Sequence, residues 1–180
     1  MSPTTYISDA ATLGTGLLLA RLIFGVLMVA HGGQKLFGWF GGYGLAGTAG
    51  FFEQLGFRPG RLFVVTASLS EVLSGILIAL GLFGPVGPAL LLSVMIVAAG
   101  SVHWKNGLFA GTNGIEVPLL YATGAVALAL TGYGPFSLDA VLGIDHIWAP
   151  ALKVVVLAAG AVGGAVNLLA RRSAGVAATA

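Results

Sequence analysis

The chain has 180 residues, of which 57% are apolar and 8% charged, with a formal net charge of +2 and no cysteine. A soluble domain carries about 25% charged residues, so this composition, with a mean hydropathy of +0.99, excludes water as the main solvent and points to a lipid bilayer as the first partner. Eight cations without a basic stripe exclude nucleic-acid binding, and zero cysteines exclude disulfides, thiol redox chemistry, iron–sulfur clusters and Cys-ligated zinc.

In chain order, residues 1–12 hold no Lys or Arg and read as an N-terminal tail. No small-x-small cleavage pattern closes the apolar run that follows, so 13–30 reads as a retained first span and not as a removed signal peptide. Residues 32–60 are rich in Gly and aromatics (Phe37, Trp39, Phe40, Tyr43, Phe51, Phe52, Phe57). Amphipathic rings gather at headgroup level, so this segment reads as an interfacial or re-entrant element, with a short helix over 46–55 that ends at Gly56. Pro59 suits the first turn of a second span over 62–83, and further spans follow at 86–102, 117–132 and 147–170. Turns at Gly84-Pro85 and 106–114 separate them, and 171–180 reads as a flexible tail. Backbone groups in lipid must be satisfied within the segment, so the predicted fold is an all-α transmembrane helical bundle.

The few cations set the predicted orientation. With the N-terminus outside, Lys35, Arg58, Arg61, Lys105, Arg171 and Arg172 fall on the cytoplasmic side with the C-terminus, and Lys153 falls opposite.

Two charges stand alone in long apolar runs, Arg21 in the first span and Glu71 in the second. Holding an arginine at mid-membrane costs roughly 2.5 to 3.5 kcal/mol on insertion scales, and such residues face a protein interior and find partners. If the inner boundary lies near His31 on one span and Arg61 on the other, Arg21 and Glu71 sit at equal depth, about 15 Å in at 1.5 Å per residue. The sequence therefore predicts an Arg21–Glu71 pair, serving a site or only fixing helix register. On the second span Ser68, Glu71, Ser74 and Gly75 line one face at three- and four-residue spacing, a surface suited to close packing on the first helix.

Applied to the histidines, the same topology brings His31, His103 and Glu116 to the cytoplasmic boundary. Two histidines and a carboxylate can bind non-haem iron or zinc, and two histidines can clamp haem. Neither His-x-x-x-His nor Glu-x-x-His occurs within a helix, which argues against both, and half-hydrated helix ends explain the three residues as well. The aromatic segment next to His31, Gln34, Lys35 and Arg21 suits a quinone or another flat lipophilic ligand, or simple anchoring.

The stretch Ala30-His31-Gly32-Gly33-Gln34-Lys35-Leu36-Phe37-Gly38 resembles the His-Gly-x-x-Lys-Leu-Phe signature at the end of the first helix in DoxX family membrane proteins. Glu71-Val72-Leu73-Ser74-Gly75 with Leu80-Gly81-Leu82 is similar to that family's second-helix motif. Asn113-Gly114-Ile115-Glu116-Val117-Pro118 is similar to the start of its fourth helix, and 134–142 to its closing Gly-x-x-Ser-Leu-Asp stretch. The resemblance implies a four-helix membrane core over 13–142, here extended by a fifth helix in 143–170, in a plasma membrane. It also implies association with oxidoreductases, since relatives include a subunit of a quinone-linked thiosulfate-oxidising complex. Arg21, His31, Gln34, Lys35, Glu71, Glu116, Ser137 and Asp139 match the motifs, and any site is expected among the first six, with His103 beside them.

Two functional classes follow: a redox-associated membrane subunit that binds a quinone or similar ligand near the cytoplasmic face, and a non-catalytic scaffold or small-molecule transporter. An enzyme acting alone is disfavoured, because no Ser-His-acid set, phosphate loop or dinucleotide fingerprint is present. In the fifth segment, Gly160-Ala161-Val162-Gly163-Gly164 offers a small-residue packing face for a second copy, another subunit or the bundle itself.

Overall fold

Long apolar runs can satisfy their backbone in hydrocarbon only within their own helices, and a computed structural model of the protein shows that arrangement. It describes residues 3–172, with side chains from Asp9 onward. The helices are α1 (Pro3–Phe37), α2 (Gly44–Gln54), α3 (Gly60–Leu80), α4 (Val86–Ala98), α5 (Glu116–Thr131), α6 (Leu138–Val141) and α7 (Pro150–Leu169). Helix α4 continues through a π-helical turn, Ala99–His103, and a 3-10 turn, Trp104–Asn106. No strand occurs among the described residues.

Four of these helices are long and apolar enough to cross a membrane: α1, α3, α4 with its continuation, and α7. Helix α5 is a shorter apolar helix of 16 residues. All five predicted spans are therefore helices. The first reaches further than the hydropathy run at both ends: residues 3–12, read as a tail, are helical, and the helix passes His31 to end at Phe37. Gly32 and Gly33 do not break it, because their missing side chains make room for neighbours. A Cβ on Gly32 would lie 2.8 Å from the Ser68 carbonyl oxygen, and one on Gly33 2.8 Å from the Trp39 ring.

The closest seam is antiparallel, between α1 and α3. Gly25 and Gly75 face each other so tightly that a Cβ on either would stand 2.5 Å from the other's carbonyl oxygen. The predicted small and polar face of the second span, Ser68, Glu71, Ser74 and Gly75, is buried. Behind the seam, α4 packs on α3, α5 and α7 around a core of Met28, Ile78, Leu91, Met95, Ala125, Leu128 and Tyr133. Gly160 and Gly164 press on α4, with Gly164 Cβ space 2.9 Å from the Ser93 carbonyl oxygen, so the small-residue face of the last helix is used within the chain.

The bundle thus has two ends. At one lie Lys35, α2, the 107–115 loop and the close of α7; at the other lie the α3–α4 turn, α6 and the start of α7. Arg172 N–H donates to Gly56 O at 2.9 Å and Arg171 Nε to Leu55 O at 2.8 Å, tying the end of α7 to the turn before α3.

Candidate functional site

Side chains on a helix lean toward its own N-terminus. On antiparallel α1 and α3, Arg21 therefore leans toward one end of the bundle and Glu71 toward the other. Register separates them as well. Facing positions across the seam keep a constant sum of 100, as in Gly25 with Gly75 and Gly32 with Ser68, so Arg21 stands opposite position 79, eight residues or roughly 12 Å from Glu71. The expected Arg21–Glu71 pair does not form. The depth argument set His31 level with Arg61, a register wrong by two helical turns, because α1 continues past its apolar run.

Glu71 pairs instead with Lys35. Lys35 leans up from the last turn of α1 as Glu71 leans down, and Lys35 Nζ donates to Glu71 Oε1 in the only ion pair among the described residues. Glu71 is 3% exposed and Lys35 27%. The other carboxylate oxygen, Oε2, is buried without a hydrogen-bond partner.

That pair lines a cavity of about 270 Å³ between α1, α2, α3, α4 and α7. Its apolar lining comes from Phe51, Phe52, Phe57 and Phe63 on one side and Val94, Val97 and Val102 on the other. Polar groups are few: Thr66, Ser70, Ser93, Ser101, His103 and Asn167 beside the ion pair. Thr66 and Ser101 donate back to the carbonyls of Leu62 and Val97, and Asn167 Nδ2 donates to Gly163 O. The π-helical turn shifts the helix phase at the point where Ser101 and His103 reach the cavity, a common use of such turns. His103 Nδ1 lies 2.8 Å from Asn113 O; a carbonyl only accepts, so Nδ1 carries the proton and Nε2 can accept in the neutral ring.

Of the expected site residues, Lys35, Glu71 and His103 come together in this cavity. Gln34 lines an adjoining chamber, with Nε2 donating to Phe40 O at 3.3 Å. His31, exposed on α1, packs edge-on against Tyr121, and Glu116 accepts the Ala110 N–H at 2.7 Å to fix the 107–115 loop. The His31–His103–Glu116 set is therefore not assembled: no cluster of three or more His, Asp or Glu positioned for a metal occurs among the described residues. The sequence reading missed Ser93, Ser101 and Asn167. Ser93, Val97 and Ser101 repeat every four residues, and Asn167 is the lone amide of an apolar helix, so both signals were present.

Arg21 has a structural setting at the far end. It is 1% exposed, donates from Nη1 to Tyr133 O at 2.8 Å and from Nη2 to Phe136 O at 2.6 Å, and lies over the Tyr133 ring. Gly81, in a left-handed cap at φ 66°, leaves the space the guanidinium fills. Asp139 completes this end by accepting Phe83 N–H on Oδ1 and Gly84 N–H on Oδ2. The buried Arg21 cation fastens the 132–139 segment to α1 through its carbonyls, and the buried Asp139 carboxylate fastens it to the α3–α4 turn through two amides.

A bundle of long apolar helices that keeps its few buried charges in its interior defines a multi-pass helical membrane protein. The DoxX family model matches residues 16–104, from the first helix through the π-helical turn, and the chain belongs to that family. No curated protein and no solved structure matches it.

Proposed function

We propose that the Lys35–Glu71 cavity binds a small, flat lipophilic ligand with a hydrogen-bonding head, of the quinone or quinol class. The observation that carries this reading is Glu71 Oε2, a buried carboxylate oxygen without a partner in an aromatic-walled cavity. A buried acceptor left unmade costs about 1 to 3 kcal/mol, which a ligand hydroxyl would recover. Lys35 Nζ supplies the complementary donor for a ring carbonyl. Size agrees: a dry cavity of about 150 Å³ holds benzene, so 270 Å³ suits a substituted single ring. The Lys35 end carries six of the seven loop cations, which favours its facing the cytoplasm, and a bacterial-type plasma membrane is the natural location. A carrier bound there would be exchanged with a membrane oxidoreductase.

The test is purification in mild detergent with mass spectrometry of retained lipids and subunits, followed by titration with duroquinol. We expect a co-purifying quinone and saturable duroquinol binding that weakens at least tenfold in Glu71→Gln. Equal binding by the wild type and Glu71→Gln, with no retained quinone, overturns the reading.

A further inference from the structure

Lys35 borders a second cavity. Beyond the wall formed by Phe51 and Phe52 of α2 lies a chamber of about 500 Å³, lined by Gln34, Tyr43, Thr48 and the glycines of the α1–α2 turn. Lys35, Phe51 and Phe52 line both spaces, whereas Glu71 lines the inner one alone. The exposures agree, with Lys35 at 27% and Glu71 at 3%. The carboxylate thus faces the inner cavity alone, whereas Lys35 also borders a chamber with amide, phenol and backbone groups.

We propose that the outer chamber is the aqueous arm of the ligand site, through which a ligand hydroxyl at Glu71 exchanges its proton with water by way of Lys35. This rests on the ligand reading above. The step is an acid–base relay and needs no oxidant. The ligand O–H bond breaks as its proton passes to Glu71 Oε2, leaving an oxyanion in the cavity. Lys35, its partner now neutral, gives a proton to water in the outer chamber, and its free amine takes the Glu71 proton to restore the pair. One proton has moved from ligand oxygen to water. The titratable groups facing the relay are His103, which shares the inner cavity, and Tyr43, which lines the outer one. On α2, Glu53 is engaged with the Gly60 N–H.

The chain has three lysines, Lys35, Lys105 and Lys153, so acylation can be read site by site. Wild-type protein in liposomes is treated with a water-soluble amine-acylating reagent, and modification of Lys35 is measured by mass spectrometry against exposed Lys105 as the internal standard. Gly47→Leu narrows the outer chamber, where a Cβ on residue 47 meets only Tyr43. We expect Lys35 acylation to fall at least tenfold relative to Lys105 in Gly47→Leu, with duroquinol affinity unchanged and proton release on duroquinol binding slowed at least tenfold. Acylation unaffected by Gly47→Leu but blocked by duroquinol would show that Lys35 is reached through the inner cavity, and overturns the proposal. Unchanged proton release overturns it too. Absence of duroquinol binding in the wild type defeats the ligand reading, and the acylation arm then reports on the chamber by itself.

Discussion

Removing Lys35 while leaving Glu71 should be among the most damaging single changes in the chain. In Lys35→Met the carboxylate stays 3% exposed, and Oε1 joins Oε2 as an acceptor without a partner. Breaking a buried pair from one side costs about 3 to 5 kcal/mol. Lys35 is roughly a quarter exposed, which weakens the pair by solvent screening, so about 2 to 3 kcal/mol is the expected loss. For a chain of this size 1 kcal/mol moves Tm by about 2 to 4 °C, so Lys35→Met should melt about 4 to 12 °C lower. Adding Glu71→Leu removes the orphaned charge and fills its space with apolar atoms, so the double variant should recover to within about 1 kcal/mol of the wild type. The assay is thermal denaturation in one detergent, followed by loss of the monodisperse peak in size exclusion. A double variant as unstable as the sum of the two singles would refute the pairing and with it the reading of this site.

Arg21 and Glu71, by contrast, should be energetically independent: with roughly 12 Å of helix between them, the cycle of Arg21→Met and Glu71→Leu should show a coupling below about 0.5 kcal/mol in the same melting assay. Arg21→Met alone should cost about 2 to 4 kcal/mol, because the carbonyls of Tyr133 and Phe136 both lose a charged donor. Gly25→Val puts a branched Cβ 2.5 Å from the Gly75 carbonyl oxygen and should destabilise by at least 1 to 3 kcal/mol, whereas Gly16→Ala, with open space around it, should be neutral or stabilising; comparative melting decides. Asp139→Asn keeps one acceptor oxygen for the two N–H groups of Phe83 and Gly84, and should cost about 1.5 to 3 kcal/mol, seen as a lower Tm without any change in duroquinol affinity.

Helix number and placement were legible because hydropathy acts on whole segments, and the small-residue faces of the second and fifth spans were legible because close packing in lipid demands them. Register was not. The end of an apolar run marks where hydrocarbon stops, while a helix stops where its caps and packing stop, and α1 continues past His31 into the turn that carries Lys35. That difference moved Glu71 from Arg21 to Lys35. Lean direction sealed the outcome, since antiparallel neighbours point their side chains to opposite ends. His103 was found, but His31 and Glu116 were drawn away by local demands, a tyrosine ring and a loop N–H, that spacing along the chain does not record.

The wall that Asn167 contributes comes from outside the family-matched stretch, while Lys35, Glu71 and His103 lie within it. The cavity is therefore walled almost wholly by the family-matched stretch, with Asn167 the single residue that α7 adds. A substitution at Asn167 therefore changes one wall of the cavity while the ion pair and the α1–α3 seam, which lie on other helices, stay fixed. A fusion placed directly after Arg172 would act on that wall, because Arg171 and Arg172 together strap the end of α7 to Leu55 and Gly56.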